Sequence, residues 1–400
     1  MPGAYPARAM GLRIAMVTET FPPEVNGVAR TVMEMVEGLR RRGHFIHLMR
    51  PRQRPGEQGF IDGNLVEWLC RGIAIPHYPQ LKMGWARSAA LVRAWSAARP
   101  DLVHIATEGP LGWSALSAAR RLGIPVATDF HTNFQTYSRH YGVGWLARPV
   151  AAYLRAFHNR AGCTMVPTGE LAASLGAQGF ERLRVVGRGV NPAVFSPERR
   201  SRELRASWGA DDATPVALCV SRFAHEKNFA LVIRAYEAMR CIRADAKLIL
   251  VGDGPLAEEL QKKNVGYVIA GRKVNGELSR HYASADVFLF PSMSETWGNV
   301  TLEAMASGLG IVAYDYAAAR EVVRHGVNGL LAPFGDAPAF VAHAETLARD
   351  LALAPRLGRA ARASAGSPAS RSAWAMNAPA SPNGASSALA PWRSTSRAAA

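Results

Sequence analysis

Residues 290–308 read FPSMSETWGNVTLEAMASG, and the order of residue types in that run decides the fold. An apolar run, Val287–Phe290, halts at Pro291; a loop carries Glu295; apolar residues at helical spacing then start near Asn299 and stop at Gly308. That is a buried strand, a loop and a helix, the repeating unit of a parallel α/β sheet. The geometry turns the first N–H groups of the helix, at Asn299, Val300 and Thr301, toward the mouth of the sheet, a place suited to a pyrophosphate. Glu303 falls within the first two helical turns, where a carboxylate suits a ribose hydroxyl. Glu295 stands just ahead of the helix, placed to bond sugar hydroxyls or to stabilise positive charge at an anomeric carbon. The plain alternatives are a loop residue at 295 and a solvated one at 303.

The same alternation extends both ways. Downstream of Gly209 the pattern predicts strands at Val216–Val220, Lys247–Val251, Tyr267–Ile269, Val287–Phe290 and Ile311–Tyr314, with helices at Phe229–Met239, Leu256–Lys262, Leu278–Ala283, Val300–Ser307 and Ala319–Arg324. Upstream it predicts strands at Leu12–Val17, Phe45–Met49, Leu102–Ile105, Pro125–Asp129 and Cys163–Pro167, separated by helices at Val28–Arg42, near Trp85–Ala98, at Gly112–Leu122 and through Val150–Arg160. Two alternating series imply two doubly wound domains. Gly187–Gly209, with Pro192, Pro197 and the cluster Arg199, Arg200, Arg202 and Arg205, reads as the crossing segment. We therefore expect an α/β protein with domains at 1–187 and 188–362. Residues 363–400, rich in Ala, Ser and Pro and without Asp or Glu, read as a disordered tail.

A chain of 400 residues suits two or three domains at roughly 100–200 residues each. No apolar run approaches the ~20 residues that span a bilayer, and Met1–Met10 lacks the apolar centre of a signal peptide, so the expected location is the cytoplasm. Cys70, Cys163, Cys219 and Cys241 are scattered and read as buried free thiols. The net charge of +16 is uneven: residues 1–187 hold 22 Lys+Arg against 12 Asp+Glu, the remainder 25 against 19. An anionic surface or substrate beside the first domain fits that excess.

SETWGNVTLEAMASG, with two glutamates eight positions apart, resembles the retaining GT-B glycosyltransferases of family 4. So do ETFPPEVNGVAR (19–30), HTNFQTY (131–137), GRGVNPAVFSP (187–197), VSRFAHEKN (220–228), VGDGP (251–255) and YDYAAAREVVRHGVNGLLAPFGD (314–336). The resemblance covers roughly residues 12–350 and implies two Rossmann-like domains facing each other across a cleft. It implies that Arg222 and Lys227, leaving the strand Val216–Val220, neutralise the donor diphosphate as it departs. It implies that Gly271 and Arg272 line the base pocket, that Gly27 lets backbone approach a phosphate, and that His131 stands beside the donor sugar. The alternatives are surface cations capping a turn for Arg222 and Lys227, an ordinary turn for Gly271 and Arg272, and a structural histidine for His131. Glu108 is an active-site candidate that competes with a helix-capping role. Retention of configuration is implied by the likeness; on that reading the acceptor attacks from the leaving-group side and no protein nucleophile is assigned.

No Asp-x-Asp pair and no metal-ligand spacing occurs in the chain, so we expect metal-independent transfer without a cofactor. Within the family the chain looks most like the bacterial GDP-mannose-dependent mannosyltransferases and glycolipid glycosyltransferases. GDP-mannose is the favoured donor and a lipid or saccharide the acceptor. A UDP-glucose or UDP-glucuronate glycolipid synthase and a nucleotide-sugar epimerase are the alternatives. Leu81–Arg99 mixes Trp85, Leu91 and Trp95 with Lys82, Arg87 and Arg93, and 145–160 repeats the mixture, which suits an anionic membrane surface and a peripheral position on the inner face of the plasma membrane. A plain surface helix is the alternative. No nucleic-acid motif accompanies the basic charge, and a nucleic-acid partner is not expected. One departure from the family pattern is that Ala363–Ala400 stands where a helix usually crosses back to the first domain.

Overall fold

The computed structural model describes residues 11–24, 26–75, 78–131, 147–263 and 266–365. Two compact units divide between Val186 and Gly187. The first contains β1 (Arg13–Val17), α1 (Gly27–Arg41), β2 (Phe45–Pro51), β3 (Ile61–Asp62), β4 (Leu65–Ile75), β5 (Tyr78–Trp85), α2 (Ser88–Ala97), β6 (Leu102–Ile105), α3 (Pro110–Arg121), β7 (Val126–Asp129), α4 (Ala147–His158), β8 (Cys163–Val166), α5 (Gly169–Ala177) and β9 (Leu183–Val185). Its strands lie in the order β3-β4-β2-β1-β6-β7-β8-β9, parallel apart from β3 and β5, which run antiparallel to β4. β1 is apolar because both of its faces are covered. Ile14 and Met16 pack with Val32 and Val36 of α1, while Ala15 and Val17 pack with Leu91, Trp95 and Leu111.

The second unit contains α6 (Arg202–Ser207), β10 (Val216–Val220), α7 (Phe229–Ile242), β11 (Lys247–Val251), α8 (Ala257–Lys262), β12 (Val268–Gly271), α9 (Asn275–Ser284), β13 (Val287–Phe290), α10 (Asn299–Ala306), β14 (Gly310–Tyr314), α11 (Ala317–Val322), β15 (Leu330–Ala332), α12 (Ala337–Arg349) and α13 (Leu353–Ala365). Its sheet is parallel throughout, in the order β12-β11-β10-β13-β14-β15. Alternate residues of β10 feed two cores: Ala217 and Cys219 on one face, Val216, Leu218 and Val220 on the other. Fully burying one such Leu or Val contributes roughly 1.5–3 kcal/mol.

The order of the parallel strands reverses between β1 and β6 in the first unit and between β10 and β13 in the second. Ligands of open α/β sheets bind in the crevice beyond the carboxyl ends of the strands at such a reversal.

Several expectations are corrected. Trp85 ends β5 and does not open a helix; it is 56% exposed. Leu91 and Trp95 of α2 are fully buried, as is Phe157 of α4, so these residues belong to the core and not to a membrane-facing stripe, while Tyr153 of α4 is 44% exposed. The crossing segment carries a 3-10 turn at Pro197–Arg199 as well as α6. Within its basic cluster Arg205 is buried, donating to the carbonyls of Asp211, Thr214 and Ser284 and pairing with Asp286 at 3.1 Å. Ala363, Ser364 and Ala365 belong to α13 and not to a tail. Arg362 fastens that helix to the carbonyls of Pro192, Phe195 and Ala306, and Gly358 is required because a Cβ there would stand 1.9 Å from the Gly308 carbonyl oxygen. Cys70 and Cys219 are buried free thiols, but Cys163 is half-buried and Cys241 is exposed. Among the described residues no helix is long and apolar enough to cross a membrane. The tail beyond Ala365, Met1–Met10, Trp145 and the remainder of HTNFQTY after His131 lie outside the described residues.

Candidate functional site

In the second unit the residues singled out around 295 and 227 meet at the β10/β13 reversal. β10 leads into Ser221 and Arg222, then a 3-10 turn, His225–Lys227, and Asn228 in the left-handed region at φ 57° before α7. β13 leads through Ser292 and Glu295 to Gly298, left-handed at φ 95°, and into α10. Lys227 spans the two loops: its Nζ donates to Glu295 Oε1 at 2.5 Å, to the Ser294 carbonyl at 3.2 Å and to Ser292 Oγ at 3.4 Å. Those three contacts match the three donors of an ammonium group. Ser292 Oγ also donates to Glu295 Oε1 at 2.9 Å, and Tyr316 donates its hydroxyl to the Glu295 carbonyl at 3.1 Å. The Lys227 and Glu295 side chains are 15% and 16% exposed, so the pair is shielded from water but reachable. Arg222, with 41% of its side chain exposed, bonds Glu226 at 3.4 Å, and the Glu226 carbonyl in turn receives the Met293 N–H at 2.8 Å.

The Gly252-Asp253-Gly254 turn supports this site from beneath. Gly252 has φ 149°, and a Cβ there would fall 1.8 Å from the Ser221 carbonyl oxygen, so only glycine lets this turn lie against the Arg222 loop. The Phe223 N–H donates to the Asp253 carbonyl and the Leu256 N–H to that of Phe223.

Asn299 opens α10, and Val300 and Thr301 share its first turn, but the Thr301 N–H already donates to the Gly298 carbonyl at 3.1 Å and is not turned toward an anion. Glu303 is 5% exposed and therefore not a solvated residue. Gly271 closes β12 with φ 72°, and Arg272 beyond it is exposed. Among the described residues no group of three His, Cys, Asp or Glu stands together as a metal-ligand set.

In the first unit Gly27 begins α1, whose cap is Asn26 accepting the Ala29 N–H at 2.8 Å; a Cβ on Gly27 would meet nothing within 4 Å, so the helix start is open. His131 follows β7, 6% exposed, with Nε2 3.0 Å from Asp129 Oδ2. Behind it His104 is fully enclosed; burial holds its pKa down, partly offset by Asp129 and reinforced by His131. Glu108 does not cap α3. That role falls to Glu19, which accepts the Leu111 N–H at 3.0 Å. Burial pushes the Glu19 carboxyl up to about 7, against hydrogen bonds from Leu111 and Gly84, with a further push from Glu108.

Reading the sequence singled out His131, Glu295 and Lys227 but not Asp129, Ser292, Tyr316 or Glu19, each of which touches or neighbours a candidate. Asp129 ends the predicted strand Pro125–Asp129, and Ser292, Tyr316 and Glu19 lie inside stretches already quoted, a signal that polar residues at and just beyond strand ends deserve the same weight as the residues beside them.

Two family models match the chain: Glycosyltransferase Family 4 over residues 25–194 and Glycosyl transferases group 1 over residues 214–350. A GDP-mannose-dependent alpha-mannosyltransferase of Mycobacterium tuberculosis is 34% identical, the alignment covering 87% of this chain and 93% of that protein. An alpha-monoglucosyldiacylglycerol synthase of Streptococcus pneumoniae is 28% identical, covering 76% and 71%. Among solved structures, sucrose-phosphate synthase from Thermosynechococcus elongatus superposes with a TM-score of 0.74 at 20% identity, over 91% of this chain and 96% of that one. The two-unit α/β architecture is the GT-B fold of such structures.

Proposed function

The chain belongs to glycosyltransferase family 4 and is a hexosyltransferase acting from a nucleotide-sugar donor, and from that premise we propose that the donor is GDP-mannose and the acceptor a hydroxyl of a lipid or saccharide. The observation that carries this reading is the clustering of Arg222, the Lys227–Glu295 pair and the start of α10 at one strand-order reversal. A departing diphosphate meets two cations there, each also paired with a carboxylate, Arg222 with Glu226 and Lys227 with Glu295, together with the start of a helix that favours negative charge. Lys227 is placed between the two loops before the donor arrives, and reaching the diphosphate requires it to exchange at least one of its bonds to Glu295, Ser294 and Ser292. Glu295 faces the sugar, Glu303 the ribose, and Gly271 with Arg272 the base. His131, aimed by Asp129, contacts a hydroxyl of the donor sugar.

On this reading the acceptor oxygen attacks on the side from which the phosphate leaves, the phosphate takes the acceptor proton, and configuration is retained. Two cations already supply the positive charge, and transfer is metal-independent. The mannosyl relative supports GDP-mannose, and the diacylglycerol relative supports a lipid acceptor. The charge excess of residues 1–187 and the exposure of Trp85 and Ile73 on β5 and β4 support work at an anionic membrane surface.

The test is a thermal-shift comparison of GDP, UDP and ADP, followed by mass analysis of the transfer product and measurement of its anomeric configuration. Preferential stabilisation by GDP and an alpha-linked mannoside is the expected result. Preference for UDP or ADP contradicts the donor assignment, and an inverted product contradicts the mechanism. Sedimentation with phosphatidylglycerol vesicles at low salt tests the membrane reading, which complete absence of binding removes.

A further inference from the structure

The first unit has its own strand-order reversal, between β1 and β6, and a carboxylate follows each of those strands: Glu19 after β1 and Glu108 after β6. They are close enough that Glu108 raises the Glu19 pKa. Burial is the main reason the Glu19 carboxyl is raised to about 7, and Glu108 adds to it, so the edge of the sheet carries one largely protonated carboxyl beside a second acidic side chain. Each is held firmly. Glu19 is tied to the 107–111 segment twice, its N–H donating to Thr107 Oγ1 at 2.9 Å and its carboxylate accepting from Leu111. A Cβ on Gly109 would stand 1.7 Å from Glu19 Oε2, so glycine there makes the room the carboxylate fills.

Glu108 is held from behind. His158 Nε2 lies 3.3 Å from Glu108 Oε1, His158 Nδ1 lies 2.9 Å from Thr128 Oγ1, and Thr128 Oγ1 lies 3.0 Å from Thr164 Oγ1. One assignment satisfies this chain from end to end: Thr164 donates to Thr128, Thr128 to Nδ1, and the Nε2–H to Glu108. His158 is 1% exposed among Phe130, Phe157 and Phe180. Tyr153 donates its hydroxyl to the Glu108 carbonyl at 2.5 Å, fixing the backbone as well. A helix cap does not explain this arrangement, because Glu19 already caps α3. A buried polar relay inside an aromatic nest has one visible product, a carboxylate aimed from the end of β6 with 12% of its side chain in solvent.

We propose that Glu19 and Glu108 form the acceptor subsite of the first unit, taking hydroxyls of a polyol or sugar head, and that His158 positions Glu108. The proposal rests on the reading of the chain as a transferase to a hydroxyl acceptor. A hydroxyl donating to the Glu108 carboxylate forms a charge-assisted bond, and Glu19, raised to about 7, can accept from or donate to an adjacent hydroxyl.

The experiment uses the whole enzyme with GDP-mannose and three acceptor probes: dioleoylglycerol and glucosyl-dioleoylglycerol in mixed micelles, and methyl alpha-mannoside in solution. GDP binding is followed by thermal shift in the same samples. Glu108→Gln raises the acceptor KM about tenfold or more while the GDP-mannose KM stays within about twofold, because a neutral amide loses the charge-assisted bond. His158→Phe shows the same split, and His158→Gln, whose amide can donate to Glu108, restores most of the acceptor KM. An unchanged acceptor KM in Glu108→Gln, or an equal rise in both KM values, overturns the proposal. Should His158→Phe not fold, the Glu108→Gln ratio decides alone. No transfer by the wild type to any probe, with GDP still bound, overturns the acceptor reading itself and the proposal with it; no GDP binding overturns the donor reading instead.

Discussion

Replacing Glu19 by glutamine gives a pH signature that follows from burial. The folded carboxyl is pushed from 4.5 up to about 7, chiefly because water is excluded around it. Between those values the folded state holds a proton that the unfolded chain has released, so the Glu19 contribution to stability is fully present below pH 4.5 and is lost as pH rises through 7. At about 1.4 kcal/mol per pH unit between the two values, the whole decline is on the order of 3 kcal/mol. Glutamine cannot ionise, and its carbonyl oxygen still accepts the Leu111 N–H. The stability of Glu19→Gln relative to wild type therefore rises by about 3 kcal/mol between pH 4.5 and pH 8. His47, held down to about 4 by burial, titrates with the opposite sign but is common to both proteins and cancels. The assay is urea unfolding of both proteins at pH 4.5, 6 and 8, following the transition of the first unit. A difference that does not vary with pH refutes the argument that the Glu19 carboxyl is desolvated.

Further outcomes follow from other contacts. Arg205→Ala strips the buried carbonyls of Asp211, Thr214 and Ser284 and the Asp286 carboxylate of their shared donor, and should lower stability by about 3–5 kcal/mol, read from urea unfolding of the second unit. Gly252→Ala forces Ser221 and the Arg222 turn to move, so GDP affinity measured by calorimetry should weaken about tenfold, a change of roughly 1.4 kcal/mol. Asp129→Asn removes the charge that aims His131 and should lower kcat more than about tenfold with little change in the GDP-mannose KM; an unchanged kcat denies His131 its role.

The alternation of apolar runs with helical spacing made both sheets legible, because parallel strands buried on two faces carry an uninterrupted apolar signal, as in Val216–Val220 and Val287–Phe290. It failed where that signal is diluted. β4 carries Glu67 and Arg71 among apolar residues and continues past the sheet edge, β5 is broken by Pro79 and Gly84, and α13 is built from alanine and arginine, a composition easily mistaken for a polar tail. Aromatic residues misled for a related reason. Trp95 looks like an interfacial residue beside its arginines, and only the packing of α2 on α3 buries it. At the site, motifs located Arg222, Lys227, Glu295 and Glu303, but pairing across loops is invisible in a linear string: Lys227 and Glu295 are 68 positions apart. Glu19 and Glu108 became a pair only when β1 and β6 were found side by side.

Calorimetric titration of GDP into wild type and into Arg222→Ala/Lys227→Ala, with melting curves to show that both are folded, puts the donor-site reading at risk most directly. Losing two charge-assisted contacts to a diphosphate predicts affinity weaker by about a hundredfold or more, roughly 3 kcal/mol. A folded double variant that binds GDP as tightly as the wild type contradicts the assignment of the diphosphate to this site.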